Sequence, residues 1–443
     1  MSSDLHVIVG LGATGLSCIR YLAAQNIPIA VMDTRNQPPH LDTLKKEYPD
    51  VPVTFGGFDT NLLAQAAKII LSPGIALRES AIAAQVKRGV PVIGDIELFA
   101  QAVNQPVIAI TGTNAKSTVT TLVGKMAEAA GFQVQAGGNL GIPALDLINR
   151  DPATNLFVLE LSSFQLETTY SLKPHVATVL NVTPDHMDRY LTLADYQQAK
   201  QRVYQHCQTA VCNRDDPLTE YQRAVRKWYF TMNKPQKNEF GLLTKGNEIY
   251  LAYEDQSLLS VAELPIAGKH YQMNALASLA IGHAFGLPFT PMLQMLREFK
   301  GLPHRCQLVR ERNGVKWYND SKGTNVGATQ AAVLGLGSEL SGKLILIAGG
   351  VGKNADFSPL VPLIEKYTRH VVLMGEAAQE LARVIGDRVP VSFAHSMQEA
   401  VQQAAEAART NDSVLLSPAC ASFDMFKHYE HRGEVFMEMV KKL

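Results

Sequence analysis

The chain is short of cysteine, of net charge and of long apolar runs, and each shortage removes a class of protein. Five cysteines (Cys18, Cys207, Cys212, Cys306, Cys420) are scattered over 443 residues with no Cys-x-x-Cys. This spacing supplies neither a disulfide framework nor a zinc-ligand pattern, and it points to reduced thiols in a cytosolic protein. Lys+Arg and Asp+Glu both total 41, so the formal net charge is zero. No overall field draws the chain to nucleic acid or to an anionic membrane. No stretch approaches the roughly 20 apolar residues of a membrane span. The opening MSSDLHVIVGLG breaks its apolar residues with Asp4 and His6, unlike a secretory signal. No repeat on the order of 20–50 residues recurs, which excludes a solenoid.

What is present is ordinary core-forming material, 46% hydrophobic and 19% charged. At roughly 100–200 residues per domain, the length fits about three domains. HVIVG, IPIAVMD, AAKIILSPG and VPVIGD read as strands alternating with amphipathic stretches such as LSCIRYLAAQN. A second start comes at QPVIAITGT, and a third follows FKGLPHRCQLV, with KLILIAGG, HVVLMG and SVLLSP as its strands. Strands alternating with helices imply an α/β protein of mainly parallel sheets flanked by helices. Boundaries fall near residues 95 and 300, giving predicted domains 1–95, 96–300 and 301–443. His283, on an apolar helix, is expected to be core.

The densest chemistry lies in Gly112-Thr113-Asn114-Ala115-Lys116-Ser117-Thr118, a turn between a buried strand and a helix. Helix starts carry unpaired N–H groups and partial positive charge, which suit phosphate oxygens. Lys116 can reach terminal phosphates, and Ser117 or Thr118 can place a hydroxyl on Mg²⁺. The loop is shorter than G-x-x-x-x-G-K-[ST], and Ala115 occupies the second glycine. Alanine is tolerable there if φ is negative, so negative φ is expected at Ala115. The bland alternative is a capped helix after a turn. Glu160, ending the strand in FVLELSSFQLE, is placed to coordinate a phosphate-bound Mg²⁺. In NVTPDHMDRY, Asn181, Asp185, His186 and Asp188 crowd a strand exit, and His186 becomes a candidate ligand only beside such a site.

Gly10-Leu11-Gly12-Ala13-Thr14-Gly15 fits G-x-G-x-x-G, with Asp33 near the spacing of a dinucleotide site. Any pyrophosphate can use the same helix start. Two phosphate loops in one chain suggest that a nucleotide-linked substrate meets a nucleoside triphosphate.

TGTNAKST, LELSSFQLE, NVTPDHMDRY, LPHR, NDSKGTN, AGGVGKNADF and LLSPACASFDMF occur in order across almost the whole chain. Together they resemble the Mur ligases of bacterial peptidoglycan synthesis. The resemblance implies a Rossmann-like first domain holding a UDP-linked substrate, a P-loop NTPase-like central domain holding ATP, and a Rossmann-like third domain holding the incoming amino acid. Gly12, Ala13, Thr14, Thr34, Arg35 and Gly74 would hold the UDP end, and Asn139 and His186 the central region. Lys116, Ser117, Glu160, Asn274, Arg305 and Asp320 would serve ATP and magnesium. Lys322, Thr324, Lys353, Ser422 and Tyr429 would surround D-glutamate, although the family aromatic near Tyr429 is commonly phenylalanine. The implied partners are UDP-N-acetylmuramoyl-L-alanine and D-glutamate, joined by a cytoplasmic, monomeric enzyme that uses neither nucleic acid nor membrane.

Lys200, in DYQQAKQRVY, matches the family lysine that is carbamylated, which would add a ligand for a second Mg²⁺. At a reference pKa of about 10.4, roughly one lysine amine in a thousand is neutral near pH 7.4, so a nearby cation must stabilise the carbamate. The expected chemistry is carboxylate activation by ATP through an acyl phosphate, with closure of the third domain about a hinge near Lys300–Pro303. A nicotinamide-dependent dehydrogenase, a non-catalytic nucleotide-binding regulator and a ligase for another amino acid stay open as alternatives.

Overall fold

The computed structural model describes residues 4–223, 225–266 and 268–443. Three sheets follow one another along the chain. The first is five-stranded and parallel, in the order Val53–Phe55, Ile29–Asp33, His6–Val9, Lys68–Leu71, Val92–Ile93. The aliphatic runs of its central strands are buried on both faces, as a helix-covered parallel sheet requires. The second sheet has nine strands. Its parallel part is centred on Val107–Thr111, flanked by Leu156–Glu160 and Val176–Val179. Beyond Glu239–Lys245 it continues as the antiparallel strands Glu248–Tyr253 and Gln256–Ser260. The third sheet has six strands, parallel except for the edge pair Gln307–Arg312 and Val315–Asn319.

The strands Val53–Phe55 and Val134–Gly138 are among those that carry no strand signal in the sequence. Both lie at sheet edges. An edge strand need not bury a continuous apolar run, so polar Gln135 and the pair Gly137-Gly138 are tolerated there. His283, expected in the core, is only partly buried, with the rings of Trp228, Phe240, Tyr253 and Phe289 packed around it at 4.7–5.5 Å. All five cysteines are free. Among the described residues, no helix is long and apolar enough to cross a membrane.

The functional loops leave the carboxyl ends of strands where the strand order reverses, which is where open α/β sheets bind ligands. Gly10–Gly15 follows the strand His6–Val9, which lies between its neighbours on either side. A Cβ at Gly15 would meet the Gly10 carbonyl at 2.0 Å, so only glycine lets the helix start this close to the strand. The phosphate loop leaves Val107–Thr111 at the corresponding point of the second sheet. Its helix, Lys116–Ala129, buries Val119, Leu122, Val123 and Met126 against Ala275, Leu276 and Leu279 of Lys269–Phe285.

Asp95, 1% exposed, lies where the first and second sheets adjoin, one oxygen accepting from Gln165 at 3.0 Å and the other unpartnered. Burial pushes its carboxyl up to about 6. The folded state therefore holds this proton more tightly than the unfolded chain. That stabilisation is complete below about pH 4 and lost as pH rises through about 6, leaving a cost of up to roughly 3 kcal/mol at pH 8. Asp95→Asn carries no charge to bury. Urea unfolding should show it gaining on the wild type from pH 4 to pH 8, and a pH-independent difference would contradict this.

Candidate active site

The phosphate loop is fixed from the segment after Val176–Val179. Thr113 N–H donates to the Asn181 carbonyl (2.9 Å), Asn114 N–H to Asn181 Oδ1 (2.8 Å), and Thr113 Oγ1 to the Thr183 carbonyl (3.1 Å). Asn181 thus shapes the loop. Ala115 corrects the sequence expectation: its φ is +68°, left-handed, immediately before the helix. The short loop must reverse within one residue to enter the helix, and the bonds to Asn181 and Thr183 hold that turn against the Cβ penalty of roughly 1–2 kcal/mol. Ala115→Gly should remove this strain, less the unfolded-state entropy of glycine, for a net gain of about 1 kcal/mol with activity retained. A destabilised variant in urea unfolding would contradict the strain.

Two lysines converge on the loop. Lys116 Nζ donates to the carbonyls of Gly112 and Thr113, both at 2.9 Å. Lys200 Nζ donates to the same Gly112 carbonyl at 2.8 Å and sits 4.4 Å over the Tyr196 ring. Lys200 is 1% exposed, and burial, then the Lys116 charge, hold its amine well below the ordinary lysine range. Burial also lowers Lys116, opposed by Glu160 and Asp185.

Glu160 is 2% exposed, with Oε1 accepting from Asn139 at 2.6 Å and Oε2 buried without a partner. A carboxylate oxygen buried in this way suits a hard cation. Among the described residues no three His, Cys, Asp or Glu cluster as an all-protein metal cage. Magnesium on a phosphate needs only one or two carboxylates, so the donor set fits that ion. His186 packs edge-on against Phe164 at 4.8 Å, and burial keeps its imidazole below its usual value and hence neutral at pH 7. Its Nε2 is 3.7 Å from Asp185.

The cavities sort the predicted residues. Gly12, Ala13, Thr14, Thr34, Arg35, Gly74 and Asn139 all line one cavity of about 520 Å³ at the first sheet. There Asp33 is saturated by the Arg35 guanidinium (2.7 and 2.8 Å) and the Leu11 and Arg35 N–H groups. Against the upward push of burial, Arg35 holds it at about 2. No acceptor is left for a ribose hydroxyl, so the dinucleotide alternative loses its acid. Asn114, Ala115, Thr118, Asn274, Arg305, Asp320 and Lys322 line a second cavity of about 210 Å³. Lys116, Ser117, Glu160, His186, Lys200 and Thr324 line a central one of about 280 Å³.

The predicted amino-acid residues are more dispersed. Lys322 lies 3.9 Å over the Tyr429 ring, and burial brings its amine down to about 8. Lys353 lines a separate cavity of about 300 Å³. Ser422 is 2% exposed and lines none of these four cavities. Asp320, pushed up to about 6 by burial, accepts from Ser417 Oγ (2.7 Å) and the Cys306 N–H. Arg305 donates to Ser117 Oγ at 2.7 Å, tying the third unit to the phosphate-loop helix. Asn325, absent from the predicted set, donates to both Asn114 Oδ1 (3.1 Å) and Asp185 Oδ2 (2.9 Å). Its sequence signal, an Asn before the apolar helix Val326–Gly337, shows the cap but not this reach.

Three α/β units whose cavities meet at a lysine-led phosphate loop define a protein that brings a tethered substrate to a nucleotide. Comparison with known families narrows this class. A MurD-like N-terminal domain model matches residues 4–94, a Mur ligase middle domain model 110–282, and a Mur ligase glutamate ligase domain model 304–420. The chain belongs to the Mur ligase family. It is 52% identical over 439 residues to the UDP-N-acetylmuramoylalanine–D-glutamate ligase of Pseudomonas putida, covering 99% of this chain and 97% of that protein. It is 53% identical to the ligase of the same name from Nitrosococcus oceani, covering 99% and 96%. Solved structures share the fold at low identity. UDP-N-acetylmuramate-alanine ligase MurC of Thermotoga maritima superposes with a TM-score of 0.62 at 16% identity, covering 99% of both chains. MurF ligase of the same organism, in complex with ADP, gives 0.63 at 16%, covering 100% and 97%.

Proposed function

We propose that the chain is an ATP-dependent ligase adding D-glutamate to UDP-N-acetylmuramoyl-L-alanine in peptidoglycan precursor synthesis. One observation carries the geometry: the central cavity shares walls with the other three. Pro73 and Asn139 line it together with the first-sheet cavity. Arg305 and Lys322 line it together with the 210 Å³ cavity, and Asp185, His186 and Asn325 with the 300 Å³ cavity. A substrate held at Gly12–Thr14 and Arg35 can lay its far carboxylate beside Lys116. ATP on the Asn274–Asp320 side can present its γ-phosphate there, and the amine can enter from the Lys353 side.

The carboxylate oxygen attacks the γ-phosphorus, the bond to ADP breaks, and an acyl phosphate forms. The amine of D-glutamate attacks the acyl carbon, loses a proton, and collapse of the tetrahedral intermediate expels phosphate and leaves an amide. The reacting groups are both anionic, so Lys116 offsets their repulsion and stabilises the transferring phosphoryl group. Ser117 and Glu160 would hold one magnesium, with His186 and Lys200 serving a second. When bound, such ions supply further countercharge to the phosphates. Lys200 would act as a carbamate: its nitrogen bonds the carbon of CO₂ and releases a proton. Burial makes this easier than for an exposed lysine, because it lowers the cost of reaching the neutral amine. Lys353, Lys322 and Thr324 would meet the two carboxylates of D-glutamate, with Ser422 and Tyr429 behind them. We place the enzyme in the cytoplasm as a monomer.

Phosphate release tests the reading. With ATP, magnesium and UDP-N-acetylmuramoyl-L-alanine, D-glutamate should be the productive acceptor in a panel of D- and L-amino acids. Equal release with another acceptor would point to a different ligase, and none with any would sink the proposal.

A further inference from the structure

A further cavity, of about 620 Å³, shares no lining residue with the four described above. Its walls come from the turn after Lys68–Leu71 in the first unit and from the helix Leu193–Gln201 of the central unit with the segments around it. Arg78, Arg189, Arg202 and Arg223 line it, against two acids, Glu167 and Asp195. Glu167 is engaged by Arg189 at 2.6 Å, and Asp195 caps its own helix through Thr192. Arg202 is half-buried, yet its guanidinium donates only to the neutral carbonyls of Leu166 (2.6 Å) and Thr169 (2.7 Å). Arg78 likewise donates to the Asp188 carbonyl at 3.1 Å. Among the described residues, no carboxylate pairs with Arg78, Arg202 or Arg223. Cations fixed by neutral carbonyls, with no acid opposite, leave a charge that an anion would complete.

Leu77, Leu191 and Tyr221 add apolar wall. Tyr221 is held by stacking on the buried Tyr204 at 4.9 Å, whereas Leu191 is 87% exposed, a large aliphatic side chain left in water. Arginine forks match phosphate oxygens, and cavities of roughly 300–1,000 Å³ take molecules of nucleotide size. One carboxylate would answer one guanidinium, while a polyphosphate chain answers several. We propose that this cavity is an effector site for an organic polyphosphate of nucleotide size. The helix Leu193–Gln201 is a wall between two cavities: Asp195, Gln198 and Ala199 line this one, and Tyr196 and Lys200 the central one. A polyanion on one side of that helix opposes the carboxylate and phosphates gathered on the other, so occupancy weakens binding of the UDP-linked substrate. That effect rests on the proposed function, and the binding does not.

The test counts bound nucleotide on the full chain by equilibrium dialysis with labelled ATP, GTP and UTP in turn, UDP-N-acetylmuramoyl-L-alanine being held at saturation. At least one of the three should bind to an equivalent that persists in Lys116→Ala and is lost in the double variant Arg78→Ala/Arg223→Ala. Both of those arginines are exposed, so the fold should survive their removal. Inorganic tripolyphosphate should compete for that equivalent at least roughly tenfold more weakly, because it has no apolar body to lay on the wall. In dilute buffer, raising the nucleotide that binds should raise the KM for UDP-N-acetylmuramoyl-L-alanine about twofold in the wild type and leave the double variant unchanged. No such equivalent with any of the three, or one that survives in the double variant, overturns the site. Equal binding of tripolyphosphate overturns its organic specificity, and an unchanged KM overturns the effector role. If the wild type releases no phosphate at all, the ligase reading has failed, while the dialysis still decides the site.

Discussion

Lys116→Ala is expected to lower kcat/KM at least roughly 10²-fold, the scale of losing one oriented donor to a developing anion. Its ammonium is the loop's own cation, and it now rests on the Gly112 and Thr113 carbonyls. Those bonds are local, and Gly112 keeps the bond from Lys200 when the Lys116 amine is gone. The fold should therefore change little while the chemistry fails. The loss should fall mainly on kcat, because the charge matters most as the phosphoryl group leaves ADP. Steady-state and single-turnover kinetics separate these effects. Near-normal turnover, or a rise in KM for ATP alone, would remove Lys116 from the chemical step.

Glu160→Gln is expected to lower activity steeply while leaving stability nearly unchanged. Glutamine is isosteric, and its carbonyl oxygen can still accept from Asn139. What disappears is the charge and a buried, partnerless oxygen of a carboxylate. The Lys116 charge partly offsets this carboxylate, and the glutamine amide fills the partnerless place, so unfolding stability should change little. With the carboxylate gone, magnesium affinity and turnover should fall by roughly 10²-fold or more. A magnesium titration of phosphate release beside a urea denaturation curve checks both arms. An active variant with an unchanged magnesium requirement would show that Glu160 is structural.

Much of the site was legible because its chemistry is local in sequence. A strand, a glycine turn, Lys116 and a hydroxyl form one contiguous signal, and Glu160 is the end of one strand. The six residues expected at the UDP end share one cavity, which Asn139 also lines. Less legible was whatever depends on backbone sign or long reach. Alanine's identity does not reveal which side of φ = 0 it occupies, and at Ala115 the loop is held by the bonds its neighbours donate to Asn181 and Thr183. Asn325 meets Asn114 across 211 positions and Asp185 across 140, separations that no local pattern encodes. Arg432, inside HYEHRGEV, resembles an ordinary charged helix residue. Its guanidinium is instead 2% exposed, donating to the carbonyls of Ser321, Cys420 and Ala421 and so bracing the turns that carry Lys322 and Ser422.

Oxygen tracing puts the phosphate loop's purpose to the most direct trial. UDP-N-acetylmuramoyl-L-alanine carrying ¹⁸O in its terminal carboxylate is turned over with unlabelled ATP and D-glutamate, and the released phosphate is weighed. Attack of that carboxylate on the γ-phosphorus requires one labelled oxygen to leave with each phosphate. Unlabelled phosphate accompanied by normal amide formation would mean that the terminal phosphoryl group never joins the substrate, and carboxylate activation at this loop would have to be abandoned.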